Sequence, residues 1–355
     1  MHMADALLSP AVGGVMWAAT AGVMVHCSRK LRDRFDSLQV PLMGVLAAFV
    51  FAAQMINFTI PATGSSGHLG GGLILAVLLG PHAAFLAIAS VLTVQALFFA
   101  DGGLLALGCN IFNLGVFPCF VAYPFIYRKI VGDSPSQGVI VAGSVAAAVA
   151  GLQLGAFCVV LQTAASGISE LPFSTFLLLM QPIHLAIGVV EGLVTAAVVG
   201  FVVKARPEVL ALAAGRPAPA GLSLGKVLAG LVLAAALTGG VLSWFASAYP
   251  DGLEWSMAGV SGKEELEAPE HGIHETLAGL QEKTAFLPDY GFKAPEAEAA
   301  PADPAAEAAE AAEAGGPAWP AVDPGTSVSG LVGGALTLLL AGVVGLLLKR
   351  RARSA

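Results

Sequence analysis

Leu69–Ala100 reads LGGGLILAVLLGPHAAFLAIASVLTVQALFFA, without one charged residue and with a single interruption at Gly80-Pro81. A membrane helix needs about 20 mostly apolar residues. The stretch is therefore either one long helix or two short ones, and the choice sets the parity of everything after it. Basic residues collect in cytoplasmic loops. Here they form four clusters: Arg29, Lys30, Arg32 and Arg34; Arg128 and Lys129; Lys204, Arg206, Arg216 and Lys226; and Lys349, Arg350, Arg351 and Arg353. A single crossing over 69–100 would put the second and third clusters outside. Two crossings put all four inside. The sequence thus predicts two passes with a break at Gly80-Pro81, the N-terminus outside and the C-terminus inside.

The other apolar runs lie at about 6–26, 40–59, 107–126, 137–162, 174–203, 225–246 and 328–348, which makes nine passes in all. Of the 355 residues, 56% are hydrophobic and 12% charged, and mean hydropathy is +0.80. A soluble domain carries about a quarter charged residues, so an ordinary soluble enzyme is excluded. The net charge of −7 argues against a nucleic-acid partner. No basic residue precedes the first apolar run, so a cleaved signal peptide is not expected. Cys27, Cys109, Cys119 and Cys158 form no CxxC pair and read as small core residues.

The charge is unevenly spread. Residues 249–327 hold 16 acidic residues against three lysines, a charge of −13, and the rest of the chain is at +6. The acidic part falls outside, between the last two helices. Its stretch 294–324, rich in Ala, Pro and Glu, reads as a disordered spacer, with Glu307, Glu310 and Glu313 as a solvated face. The expected fold is an all-α integral membrane protein. It has a seven-helix bundle (1–204), a cytoplasmic linker (205–224) and a two-helix hairpin with a large extracytoplasmic loop (225–355).

The N-terminus, Met1-His2-Met3-Ala4-Asp5, offers three nitrogens in a row: the Met1 amine, the His2 amide and the His2 imidazole. Amine and amide close a five-membered chelate ring, and amide and Nδ1 a six-membered one. Fused rings favour a plane, and planar nitrogen donors suit Ni(II) or Cu(II). One corner stays open. His68, in the Gly-rich stretch Gly64–Gly72, is on the same side by the topology above and is the candidate fourth donor. The alternative reading is a solvated loop histidine.

Polar residues interrupt the apolar runs at Gln54, Asn57, Gln95, Asn110, Asn113, Gln181, His184 and Glu191. Intramembrane ionisable groups are functional candidates by default. His184 and Glu191, seven apart, share a helix face and read as a buried network. Glu191 is a candidate acceptor for a ligating histidine, and Ser66, Gln95 and Asn110 are further packing or supporting candidates. In the acidic loop, Asp251, Glu254, His271 and His274 are candidates for metal loading, the histidines reading as an exposed pair. Gly14, Ala18 and Gly22 form a small-residue stripe, packed internally or docking another subunit. GxxxxGK[ST], GxSxG and HExxH are absent from the sequence, so the chain carries no P-loop of its own.

Several of these runs resemble the CbiM/NikM family, the substrate-specific membrane components of energy-coupling factor importers for cobalt and nickel. They are Met1–Asp5; Phe51-Ala-Ala-Gln54-Met-Ile-Asn57-Phe58 through Gly64-Ser-Ser-Gly-His68-Leu69; Leu79-Gly-Pro81; Gln95-Ala-Leu-Phe-Phe; and Asp101-Gly-Gly-Leu-Leu-Ala-Leu-Gly108-Cys-Asn110. Pro250-Asp251-Gly252-Leu253-Glu254-Trp255 resembles the hallmark of the small accessory component, CbiN/NikN or PDGLE domain. The resemblance implies a natural fusion of binder and accessory hairpin in a prokaryotic cytoplasmic membrane. It implies Ni2+ or Co2+ held by Met1, His2 and His68 as transported substrate, with no catalytic cofactor. It also implies a coupling subunit (CbiQ/NikQ-like) and cytoplasmic ATPases (CbiO/NikO-like) as partners, the chain itself being no enzyme. A planar nitrogen site leans to nickel; the alternative is a cobalt importer supplying cobalamin biosynthesis. Rivals from other classes are an intramembrane hydrolase using His68 or Glu191, which substitution of Ser65 or Ser66 would test, and a metal sensor without transport.

Overall fold

A computed structural model describes residues 2–32, 38–132, 136–216, 222–293 and 319–353. After a 3-10 turn at Asp5–Leu7, helix α1 spans Pro10–Leu31. Ser9 Oγ accepts from Val12 N, and Pro10 occupies the first turn, where its missing N–H is harmless. Next come α2 (Gln39–Gln54), α3 (Gly72–Leu79), α4 (Pro81–Phe98), α5 (Leu107–Val131), α6 (Gln137–Ser166), α7 (Phe173–Ala205) and the short α8 (Glu208–Ala213). The second half has α9 (Gly225–Gly240), α10 (Gly252–Ser261), α11 (Ile273–Thr284) and α12 (Pro324–Arg353).

Six of the described helices are long and apolar enough to cross a membrane: α1, α4, α5, α6, α7 and α12. The apolar helices α2 and α9 have 16 residues each. That is about 24 Å at 1.5 Å per residue, short of a hydrocarbon core of about 30 Å.

The stretch 69–100 breaks at Gly80-Pro81 as expected, but its first half gives only eight helical residues. At about 12 Å, α3 is far short of a hydrocarbon core of about 30 Å. Gly80 takes φ 81°, and a Cβ there would stand 2.5 Å from the Ala213 carbonyl oxygen. Only glycine fits such a turn. The α3–α4 corner therefore abuts α8, in the segment that carries Lys204, Arg206 and Arg216.

One expectation of an all-helical fold is corrected. Phe58–Ile60 (β1) and Ser65–Gly67 (β2) pair antiparallel, Thr59 opposite Ser66. Ser65–Gly67 is buried, and buried backbone groups need partners, which the small hairpin supplies without a helix.

Helix α3 is buried throughout and α4 at most of its positions, whereas α1 and α7 expose Val15, Val25, Leu178 and Leu193. An apolar outer surface around an apolar core suits a bilayer environment. Phe112–Tyr127 of α5 winds with wider π-type turns and contains Pro118 and Pro124, which cannot donate to the helix ladder. On α1 the inward contacts fall on Gly13, Thr20 and Cys27, while Gly14, Ala18 and Gly22 are exposed. The small-residue stripe is not packed internally.

Helices α9 and α12 cross with backbones touching: a Cβ on Gly330 would come 2.2 Å from the Gly239 oxygen. The pair lies on α2, where Gly333 leaves room for the Phe51 ring. Residues 294–318, most of the expected spacer with Glu307, Glu310 and Glu313, lie outside the described residues. Its end, 319–324, is exposed and tied down by a hydrogen bond: Ala321 N donates to the Trp244 oxygen at 2.8 Å, and Pro324 opens α12.

Candidate metal centre

Asn110 on α5 anchors the first residues of the chain. Its Oδ1 accepts from Met3 N at 2.8 Å and its Nδ2 donates to the Met3 oxygen at 3.2 Å. Gly103 N donates to the same carbonyl, and Asp5 Oδ1 accepts from Ala106 N. The Met3 side chain is fully buried. Asn110 thus places main chain, and through it His2.

The segment carrying His68 is held one residue beyond Leu69. Gly70 N donates to Glu191 Oε2 at 2.7 Å, and the Gly70 oxygen accepts from Gln54 Nε2 at 2.9 Å. Glu191 therefore clamps the loop backbone and not an imidazole. His68 Nδ1–H donates to the Leu69 oxygen at 3.1 Å, which sets the tautomer that turns the Nε2 lone pair outward. Burial lowers the His68 pKa to about 3, so the ring is neutral and able to ligate at neutral pH.

These two anchored segments meet: the His2 and His68 ring centroids are 5.0 Å apart. His2 Nδ1 lies 2.6 Å from Asp101 Oδ1, and His2 Nε2 is buried without a hydrogen-bond partner. The chelate through Nδ1 expected from the sequence requires the Asp101 bond to be given up. Asp101 Oδ2 accepts from the Tyr290 hydroxyl. Burial pushes the Asp101 carboxyl up, but His2 and the hydrogen bonds from His2 and Tyr290 outweigh it and hold the group well below the usual carboxylate range. Tyr290 stacks on Phe99 at 5.1 Å and accepts from Gln95 Nε2 at 3.2 Å; the same Nε2 donates to Gln54 Oε1. Gln95 thus ties the site to α2 and to the acidic loop.

The second half closes over this end. Ser66 N donates to the Pro250 oxygen at 2.8 Å, Ser66 Oγ to the Tyr249 oxygen at 2.7 Å, and Trp255 Nε1 to the Thr63 oxygen at 3.0 Å. Ser66 is a docking residue for the accessory loop. Asp251 and Glu254 form a capping box at the start of α10. Burial and the Asp251 carboxylate raise the Glu254 pKa to about 7. Asp251 Oδ2 stands 3.8 Å from His68 Nε2. Gly252 packs directly on α7, where a Cβ would meet Ile183 at 2.6 Å and His184 at 3.3 Å.

Two expectations change. His184 Nδ1 donates to Met180 of its own helix at 2.8 Å, so His184 and Glu191 share a face but each bonds elsewhere. His271 is exposed, but His274 is buried with Nε2 2.8 Å from the Leu8 oxygen, where it straps α11 to the chain start. The two are not an exposed pair.

Among the described residues, no group of three His, Cys, Asp or Glu side chains converges on one metal position. Two imidazoles alone make an incomplete set, and Met1 lies outside the described residues. Asp101 and Tyr290 were not singled out from sequence. Asp101 carried a signal, being the first charge after the apolar run 69–100; Tyr290 carried none, because its role depends on a contact across 189 residues.

Residues 2–209 match the family model CbiM, described as cobalt uptake substrate-specific transmembrane region, and residues 225–350 match the PDGLE domain. The fused nickel transport protein NikMN of Rhodobacter capsulatus is 35% identical over 311 residues, 82% of this chain and 88% of its own. The cobalt transport protein CbiM of Sorangium cellulosum is 30% identical over 59% of this chain and 94% of its own. A crystal structure of a truncated transition metal transporter superposes with a TM-score of 0.51 at 30% identity, covering 58% of this chain and 99% of that one. With more than half of its length matched, this multi-pass membrane chain belongs to the CbiM family of transport components and carries a PDGLE domain fused behind it.

Proposed function

We propose that the chain is the substrate-binding subunit of an ATP-driven, energy-coupling factor importer of a divalent transition metal, nickel by preference. In this reading residues 1–204 bind the ion at the outer face, 205–224 link on the cytoplasmic side, and 225–355 are the accessory hairpin in the same cytoplasmic membrane. The N-terminus is outside and the C-terminus inside. His68 Nε2, the His2 imidazole and amide and the Met1 amine are the donors. A membrane coupling subunit and cytoplasmic ATPases provide the power stroke, and Gly14, Ala18 and Gly22 are the candidate docking stripe.

The observation that carries this reading is the meeting of the His2 and His68 rings, 5.0 Å apart, on two separately anchored segments. Planar nitrogen donors favour Ni(II), and the relative that matches both halves is named for nickel. Cobalt is the alternative supported by the family description. The test compares nickel binding by the chain with a tag before Met1 and with a tag after Ala355. The first is expected to lose high-affinity binding and the second to keep it. Undiminished binding by the first removes the amine from the site. Uptake of labelled nickel and cobalt in competition, in vesicles holding the full assembly with ATP, decides the metal.

A further inference from the structure

His26 on α1 and His82 on α4 hold their rings with centroids 5.7 Å apart and planes inclined by 39°. Two imidazoles bound to one ion through nitrogens at about 2 Å have centroids about 4.5–6.5 Å apart, as the angle at the metal opens from a right angle to a straight line. The pair falls within that span. Among the described residues neither ring has a hydrogen-bond partner, so its nitrogens are open to a ligand. Phe120 of α5 meets the His82 ring at 5.6 Å in a T-shaped contact and packs in turn on Phe85 at 5.8 Å, which holds that ring in place. His82 is half-buried and His26 exposed, so an ion between them keeps water on its remaining positions.

The pair is remote from the metal centre described above. Along α1, His26 lies about 24 Å from Pro10 at 1.5 Å per residue. Along α4, His82 lies about 20 Å from Gln95, which bonds to Tyr290 behind His2. Both helices therefore carry the pair to the opposite end of the bundle. Arg29 and Lys30 follow His26 there, and in the orientation proposed above this end is cytoplasmic. Lys30, one turn after His26, adds a positive charge that keeps affinity for a cation low. His26 also continues the series Gly14, Ala18 and Gly22 at every fourth residue and is exposed with them.

We propose that His26 and His82 form a second, weaker site for a divalent transition metal, filled from the cytoplasm, through which imported metal restrains further uptake. The proposal rests on the import reading and orientation above. Imidazole donors suit nickel and its neighbours in the first transition row. An ion held by both rings joins α1 to α4 at the foot of the stripe assigned to the coupling subunit. It restrains uptake by binding the undocked arrangement of these helices more tightly than the docked one.

The test titrates Ni2+ into the full chain, free of any polyhistidine tag. It then follows uptake in vesicles holding the full assembly and ATP, with and without Ni2+ enclosed. The wild-type chain is expected to bind a second ion more weakly than the first. His26→Gln and His82→Gln should each lose the second step and keep the first, which also reports an intact fold. Enclosed Ni2+ should slow wild-type uptake roughly fivefold or more at saturation and leave uptake by His26→Gln unchanged. ATP chelates Ni2+ equally in both cases, so the difference belongs to the site. A wild-type chain with the first step alone, or a second step that survives both substitutions, overturns the site. Uptake equally affected in both proteins overturns the restraint. Either result leaves the import reading standing, whereas a wild-type chain that binds no Ni2+ overturns both.

Discussion

Asp251 divides its carboxylate between the two halves of the chain. Oδ1 accepts from Leu253 N at 2.7 Å and Glu254 N at 3.0 Å, capping α10, while Oδ2 stands 3.8 Å from Nε2 of His68. One side chain starts the accessory helix and sets a negative charge beside the histidine. Asn caps a helix about as well as Asp, so the two roles separate by substitution. Asp251→Asn should keep α10 docked and weaken nickel binding several-fold. Asp251→Ala should also lose the cap, about 0.5–2 kcal/mol. Hydrogen exchange at Ser66, whose amide is bound to the Pro250 oxygen, reads the docking: protected in the first variant, faster in the second.

Asn110 makes two hydrogen bonds to the Met3 backbone. Asn110→Ala leaves a buried amide without that acceptor, a cost of about 1–3 kcal/mol, and frees the segment that sets His2. Nickel affinity by calorimetry should fall at least tenfold with helix content unchanged by circular dichroism. Equal affinity would mean that the Met3 clamp does not place His2.

Glu191 accepts from the Gly70 amide at 2.7 Å. Glu191→Gln retains an oxygen for that bond, and Glu191→Ala does not. The Gln variant should bind nickel nearly as wild type does. The Ala variant should bind more weakly and melt at lower temperature. Loss of binding in the Gln variant would show that the charge itself is needed.

His274 is a strap and His271 is exposed. His274→Ala should lower stability by about 1–3 kcal/mol, the cost of a lost buried hydrogen-bond partner, with nickel stoichiometry unchanged. His271→Ala should change neither. A drop in stoichiometry in the double variant would assign a metal site to the loop.

Much of the architecture was legible along the chain. Apolar runs and basic clusters are local quantities, and together they located the break at Gly80-Pro81 and put His2 and His68 on one side. The length of α3 was not legible, because hydropathy cannot tell buried non-helical chain such as 69–71 from buried helix. Nor was the strand pair at 58–67, whose residues alternate too briefly to signal a period. His274 read as exposed because its partner, the Leu8 carbonyl, is 266 residues away.

By itself the sequence determined the membrane class, the two-part organisation and the candidate donors His2 and His68, since composition, charge placement and motif are properties of neighbours in the chain. The tertiary structure alone decided how those donors are held: Asn110 under Met3, Glu191 under Gly70, and Asp101 and Tyr290 behind His2. Each is a hydrogen bond between groups about a hundred residues or more apart. Such a bond forms only where burial removes water as the competing partner, and burial is set by the packing of the whole bundle.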